Sequence, residues 1–292
     1  MVELVFLGSG GGRFQMVNQY FKTGGFRVHA GANVHVDPGP GALLLTHQYG
    51  LNPSDLDGII VTHCHPDHYT DAEVLVEAMT QQMAVEAIGQ PMRKKRGVFI
   101  GSKSVIEGIG SHGPAISKYH QSKPEKLVIL EPGQKFQLDG MEVESVPTKH
   151  SDPTAIGIIF RTEKGAIGYT SDTQYFEDIG KYFSGVRVLI ANVTRPLSMR
   201  IPWHLCSEDL IQILKVVKPE LCVMIHMGML FLKHAPTKEA SRITSETGVE
   251  TIPGHAGLVV NIDEKIKIMR HPNQPALEEF AKVKTEKFSG AQ

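Results

Sequence analysis

The chain has 292 residues, with 30 Lys+Arg against 31 Asp+Glu (net charge −1), 41% apolar residues and 21% charged ones. This composition excludes disordered, collagenous and coiled-coil chains and leaves one large domain, or two small ones, with ample chain for a buried core. A charge so near zero gives no global attraction to nucleic acid or to an anionic membrane, so binding to either would need a local patch.

The opening Met-Val-Glu-Leu-Val-Phe-Leu-Gly has no basic start and its apolar run breaks at Gly8, so it does not read as a signal peptide. No stretch reaches the ~20 apolar residues of a membrane helix. Short apolar runs bounded by Gly, Pro or Asp recur at 4–7, 59–61, 98–100, 127–130, 143–146, 155–160, 186–190, 221–225 and 258–262, and these read as strands. Between them lie helical patterns. Thr70-Asp71-Ala72-Glu73 reads as a capping box opening a run with Val74, Ala78, Met79 and Met83 at helical spacing. Ser207 is expected to cap a second run, where Leu210, Ile211, Leu214 and Val217 follow the helical repeat before Pro219. A last helix is expected over 276–288. Strands outnumber helices and often follow one another after a single turn, which predicts an α/β protein with mixed sheets. Residues 1–272 read as one domain, with 273–292 as a helical tail that could cap the fold or meet a second copy in a homodimer. The three cysteines, Cys64, Cys206 and Cys222, have no CxxC spacing and suggest neither a disulfide framework nor a thiolate zinc knuckle. A soluble protein of a reducing, cytoplasmic compartment is the expectation.

Histidine, at 14 copies, is the outlier. Thr62-His63-Cys64-His65-Pro66-Asp67-His68 follows the apolar run 59–61 directly. His63 and His65 would diverge on a helix, but an extended segment points both one way. Pro66 then turns the chain so that Asp67 and His68 aim at a neighbouring point. Two adjacent clusters of hard and borderline donors suit two divalent ions, with Zn²⁺ expected and Mn²⁺ or Fe²⁺ compatible with the same donors.

His63-x-His65-x-Asp67-His68 resembles the signature of the metallo-β-lactamase fold hydrolases. The resemblance spans about residues 1–262 and implies a four-layer αββα sandwich, two mixed sheets with helices on the outer faces. Carried over residue by residue, it implies a third His for the first metal at His150, a bridging carboxylate at Asp172 and a last His for the second metal at His226, each near the end of an apolar run. His255, in Pro-Gly-His-Ala-Gly, rivals His226 but precedes a strand. In the phosphodiesterase branch of this fold a His placed like His204 is a catalytic residue rather than a ligand. The resemblance therefore implies that His204 contacts the phosphate or protonates the leaving oxygen. A purely structural histidine at a helix entry is the alternative.

Two divalent ions would present hydroxide at neutral pH and neutralise an anionic substrate, with Asp67 as a ligand on which catalysis depends. Such sites cleave phosphodiesters, thioesters, lactones and amides. The opening Phe6-Leu-Gly-Ser-Gly-Gly-Gly-Arg13 lacks the P-loop and Rossmann patterns. It resembles the start of tRNA 3′-processing endonucleases and of the cyclic phosphodiesterase of phosphonate breakdown, and reads either as a tight turn between strands or as a loop lining the cleft. His150 and Asp172 lie only 22 positions apart, which leaves no room for the arm that holds the tRNA elbow, and the extra cysteine-containing zinc site of the phosphonate enzyme is absent. The expected substrate is thus a small, cyclic or nucleotide-derived phosphodiester. Thioester or lactone cleavage, an RNA-processing nuclease and a non-hydrolytic metal-binding module are the alternatives. Lys149 and Arg195 are candidate phosphate contacts. The long segment 81–126, with Arg93-Lys-Lys-Arg96 and the glycine-rich 108–113, reads as a solvated surface or as a lid over the metals.

Overall fold

The structure, a computed structural model, describes residues 1–81 and 96–273. One sheet holds β1 (Val2–Gly8), β2 (Thr23–Ala30), β3 (Ala32–Val36), β4 (Gly58–Val61), β5 (Val98–Gly101) and β6 (Lys126–Ile129). The second holds β7 (Lys135–Leu138), β8 (Met141–Pro147), β9 (Ile156–Thr162), β10 (Gly165–Tyr169), β11 (Val186–Arg195), the short β12 (Leu205–Cys206), β13 (Leu221–Ile225) and β14 (Glu250–Pro253). The chain then returns to the first sheet with β15 (Leu258–Ile262) and β16 (Ile266–Arg270). Both sheets are mixed and built alike. An antiparallel meander, β1-β2-β3 or β7-β8-β9-β10, is followed by strands in parallel, β3-β4-β5-β6 or β10-β11-β13-β14.

Alternation along the strands sorts the side chains into layers. Leu4 and Phe6 of β1, Ile60 of β4, and Val188 and Ile190 of β11 face a core between the sheets. Ile59 and Val61 face Leu75, Val76 and Met79 of the helix Ala72–Thr80, and Leu189, Ala191 and Val193 face Leu210 and Leu214 of the helix Ser207–Val217. Helix, sheet, sheet, helix is the expected four-layer order. Each fully buried Leu, Ile or Phe stabilises it by about 1.5–3 kcal/mol, so the interior fixes the sheet rim before any site residue acts.

The sequence pattern misses β2 and β3, because their apolar alternation is broken by a buried cross-strand pair, Arg27 opposite His35. Burial, with Asp55 opposing it, brings Arg27 down to about 10, and burial together with the Arg27 charge brings His35 down to about 3. Two helix starts are capped differently from expectation. Thr70 Oγ1 donates to Pro66 O and Glu73 Oε1 accepts from Ser117 N, so no capping box forms. Thr70 ends the preceding turn Pro66–Tyr69, and its hydroxyl satisfies a carbonyl of that turn instead. At Ser207–Val217 the cap is Cys206 rather than Ser207, with Asp209 Oδ2 accepting from the Cys206 backbone N–H and thiol at 3.1 Å each. The expected helix over 276–288 and the basic residues Arg93, Lys94 and Lys95 lie outside the described residues. Arg96 reaches Asp57 at 3.7 Å. The glycine-rich 108–113 runs beside the site, with the His112 ring centroid 6.0 Å from that of His65. A Cβ at Gly113 would overlap Ser104 O and press on Cys64 Sγ.

Candidate metal centre

The donors gather at one rim. His63, His65, Asp67 and His68 follow β4, with His65 extended and Pro66 starting the turn Pro66–Tyr69. His150 follows β8, Asp172 follows β10 and His226 follows β13. Four non-glycine residues beside this rim take left-handed backbone: Asp37 (φ 48°), Ser171 (φ 52°), Trp203 (φ 70°) and His226 (φ 58°). Such conformations cost on the order of 1 kcal/mol or more each, and here they swing the chain sharply off a strand end or into His204.

Two donor clusters result, His63, His65, His150 and Asp172, and next to it Asp67, His68 and His226. In the first, His65 Nδ1 lies 3.1 Å from His63 Nε2 and 3.0 Å from His150 Nε2. In the second, His226 Nε2 lies 3.2 Å from both His68 Nε2 and Asp67 Oδ2. Asp172 Oδ2 stands between them, 3.8 Å from His63, 3.9 Å from His150, 3.5 Å from His68 and 3.2 Å from His226. Donor atoms ~2.0–2.2 Å from one tetrahedral ion sit ~3.3–3.6 Å apart, so this spacing is that of ligands around a cation.

The hydrogen bonds behind the rings fix which nitrogen carries a lone pair. Thr62 Oγ1 donates to Asp37 Oδ2 (2.8 Å), so toward His63 Nδ1 (3.1 Å) it accepts. His68 Nδ1 donates to Asp37 Oδ2 at 2.9 Å, and His150 Nδ1 to the Trp203 carbonyl at 2.9 Å. In the neutral form of each ring, Nε2 therefore turns a lone pair inward, toward the carboxylate oxygens and the other rings. Asn192 Nδ2 donates to Asp172 Oδ1 (2.7 Å), which leaves Oδ2 free to face the nitrogens. Buried acceptors facing acceptors are costly unless a cation lies among them, and the donor set suits divalent metal.

Electrostatics agree. Burial and neighbouring rings push His63 well below its usual range, and burial and His150 push His65 down to about 4. Against burial, Asp67, Asp172 and Asp37 hold His68 well above its usual range. Those three carboxylates make a field that favours a cation.

The profile of the beta-lactamase superfamily domain matches residues 32–227. The chain belongs to this superfamily. Within it, the chain is 45% identical over 264 residues to MJ1374, an uncharacterized protein of Methanocaldococcus jannaschii, covering 89% of this chain and 95% of that one. The metallo-beta-lactamase fold protein YhfI from Bacillus subtilis superposes with a TM-score of 0.71 at 17% identity, over 88% of this chain and 98% of its own. A diphosphatase of the PhnP family superposes with a TM-score of 0.63 at 18% identity, over 91% of this chain and all of its own, 100%. At these identities the likeness to both solved structures is one of fold. The two mixed sheets and the outer helices are those of the metallo-β-lactamase fold.

On this superfamily frame the remaining candidates separate. His204 Nε2 reaches Asp172 Oδ2 at 3.4 Å, while its Nδ1 donates to Pro202 O at 3.0 Å. Asp172, His204 and His226 are themselves close enough to hold an ion. Arg195, at the end of β11, lines the cavity beside the donors. Lys149 is exposed, lines neither cavity that His204 borders, and sets its Nζ 5.2 Å from the Phe176 ring. His255 joins no donor cluster, and its Nδ1 turns to Ala256 O. The glycine run leads into the helix Gly12–Asn18 and is part of the rim. Gly12 N donates to Asp67 Oδ2 at 2.6 Å, and a Cβ at Gly11 would overlap the His226 ring. Between His150 and Asp172 the strands β9 and β10 join through Glu163 and Lys164 alone, so no arm protrudes there.

Sequence reasoning missed Asp37, which accepts from Thr62 N, Thr62 Oγ1, His68 Nδ1 and Tyr169 Oη. Its only signal is an acidic residue before Pro38 at the end of a strand that was itself missed. Asp152 does the same work on the other flank, accepting from Cys64 N (2.8 Å) and Ser104 Oγ (2.5 Å) and so fixing the backbone between His63 and His65.

Proposed function

We propose that this protein is a dinuclear metal-dependent hydrolase, with zinc as its working metal, that cleaves a small phosphodiester in the cytoplasm. The observation that carries the reading is Asp172 Oδ2, which faces donors of both clusters and has His204 Nε2 on the remaining side. Divalent ions held by His63, His65 and His150, and by Asp67, His68 and His226, with Asp172 between them, would supply an acidified water and positive charge. The chain's own groups do the rest. Water's oxygen forms the new bond to phosphorus and releases a proton to solvent, the ester P–O bond breaks, and protonated His204 gives its Nε2 proton to the departing alkoxide. Arg195 and Arg13 line the same cavity and make no ion pair with any described residue, which suits an anionic substrate.

The test is hydrolysis of an aryl phosphodiester by zinc- and manganese-loaded protein, with Asp67→Ala as the blank and an aryl thioester in parallel. Diester turnover, lost in Asp67→Ala, is expected. Thioester turnover alone would overturn the phosphodiesterase reading. His204→Ala should lower diester turnover ~10²–10⁴-fold with metal content intact. Metal lost from that variant would make His204 a ligand instead.

A further inference from the structure

The space above the donors is asymmetric. A cavity of about 770 Å³ has His65, Asp67, Asp172 and His204 on its floor, within the usual size range of a small-molecule site. Its wall is apolar. Phe14 and Val17 project from the helix Gly12–Asn18, and Met229 and Leu230 from the turn Met229–Leu232 that follows His226. Phe14 and Val17 are 70% and 73% exposed, although each could cover itself by lying on an apolar ligand. A second cavity, of about 430 Å³, shares Ile201 and His204 with the first and is otherwise bounded by Gln174, Tyr175, Arg200, Pro202 and Asp209. His204 thus stands between a strongly apolar chamber and one with a larger polar share. An amphipathic helix face carrying Phe14 and Val17 beside a metal floor is of little use to a substrate that is polar throughout.

We propose that the substrate is an amphipathic phosphodiester, in which an aliphatic alcohol seats against Phe14, Val17, Met229 and Leu230 and a more polar alcohol extends past His204 toward Gln174 and Tyr175. Arg195, at the edge of the apolar chamber, meets the phosphoryl charge. This rests on the phosphodiesterase reading for its chemistry but not for its apolar seat, and the test separates the two.

Metal-loaded protein would be given p-nitrophenyl methyl phosphate and p-nitrophenyl octyl phosphate, which share a leaving group. The octyl ester is expected to show kcat/KM at least ~10-fold above the methyl ester, since each buried methylene adds to binding. Val17→Asp and Leu230→Asn are each expected to reduce that ratio ~5-fold or more. A ratio near one in the unaltered protein, or a ratio that both variants leave unchanged, overturns the apolar seat. Binding of octylphosphonate and methylphosphonate, read by calorimetry, stands independently of turnover. Tighter octyl binding without turnover of either diester overturns the phosphodiesterase reading and leaves the seat in place. Equal binding of the two, or none, overturns the seat.

Discussion

The two donor clusters lie side by side yet are held in different ways. In the first, His63 and His150 are braced by neutral groups, a threonine hydroxyl and a peptide carbonyl, and the carboxylate within the cluster is the shared Asp172. In the second, Asp67 is itself a donor, Asp37 stands behind His68, and Thr194 Oγ1 meets His226 Nδ1 at 3.0 Å. A carboxylate behind an imidazole makes the ring a stronger donor and fixes its orientation. The second cluster is therefore the more negative of the two. Similar ligand types thus acquire different character from the atoms one bond further out.

The largest effect should come from the residue that the clusters share. Asp172→Ala is expected to release metal from both clusters and to lower diester turnover by ~10⁴-fold or more, read as metal content and rate. Full occupancy of either cluster in that variant would mean that the clusters are not linked through Asp172. A smaller and one-sided effect is expected from Asp37→Asn, which keeps the shape but removes the charge behind His68. It should weaken metal binding ~10–100-fold at the second cluster and leave the first little changed, as separated by titrating apo-protein with Zn²⁺ and Mn²⁺. Equal weakening at both would erase the distinction. Gly11→Ala is expected to act least, shifting His226 enough to lower turnover ~10-fold while the fold melts within a few degrees of the parent. A larger loss of thermal stability would place its effect in the fold rather than in the ring's position.

Most of the donor set could be read from the sequence because its members are local or occupy equivalent places. His63, His65, Asp67 and His68 fall within six positions, and the family resemblance extended the set to His150 and His226, which follow recognised apolar runs, and to Asp172, whose preceding strand β10 the pattern missed. What could not be read depends on contacts between distant segments. Asp37 matters only because Thr62, His68 and Tyr169 fold against it, and nothing in its own neighbourhood reports that. Arg27 and His35 hid two strands by being buried and polar. Cys206 took the capping role that local pattern gave to Ser207, and Thr70 left the one given to it to satisfy a carbonyl of the preceding turn. Phe14 and Val17 lie in a helix of seven residues, too short for a period to declare itself. Nothing local distinguishes Arg195, which lines the cavity, from Lys149, which lies over the Phe176 ring.

The return of β15 to the first sheet has a bearing on how the chain is made. Val2 pairs with Ile262 and Val5 with Val259, so β1 keeps one edge open while nearly the whole protein is synthesised. An unpaired strand edge is a template for association with other chains, and pairing across so long a separation is slow. The histidines after β4 also await partners from β8, β10 and β13, so the rim completes late. A nascent chain stopped before Leu258 would present both an open β1 edge and every residue of the donor clusters, already synthesised and able to draw metal before the sandwich is closed.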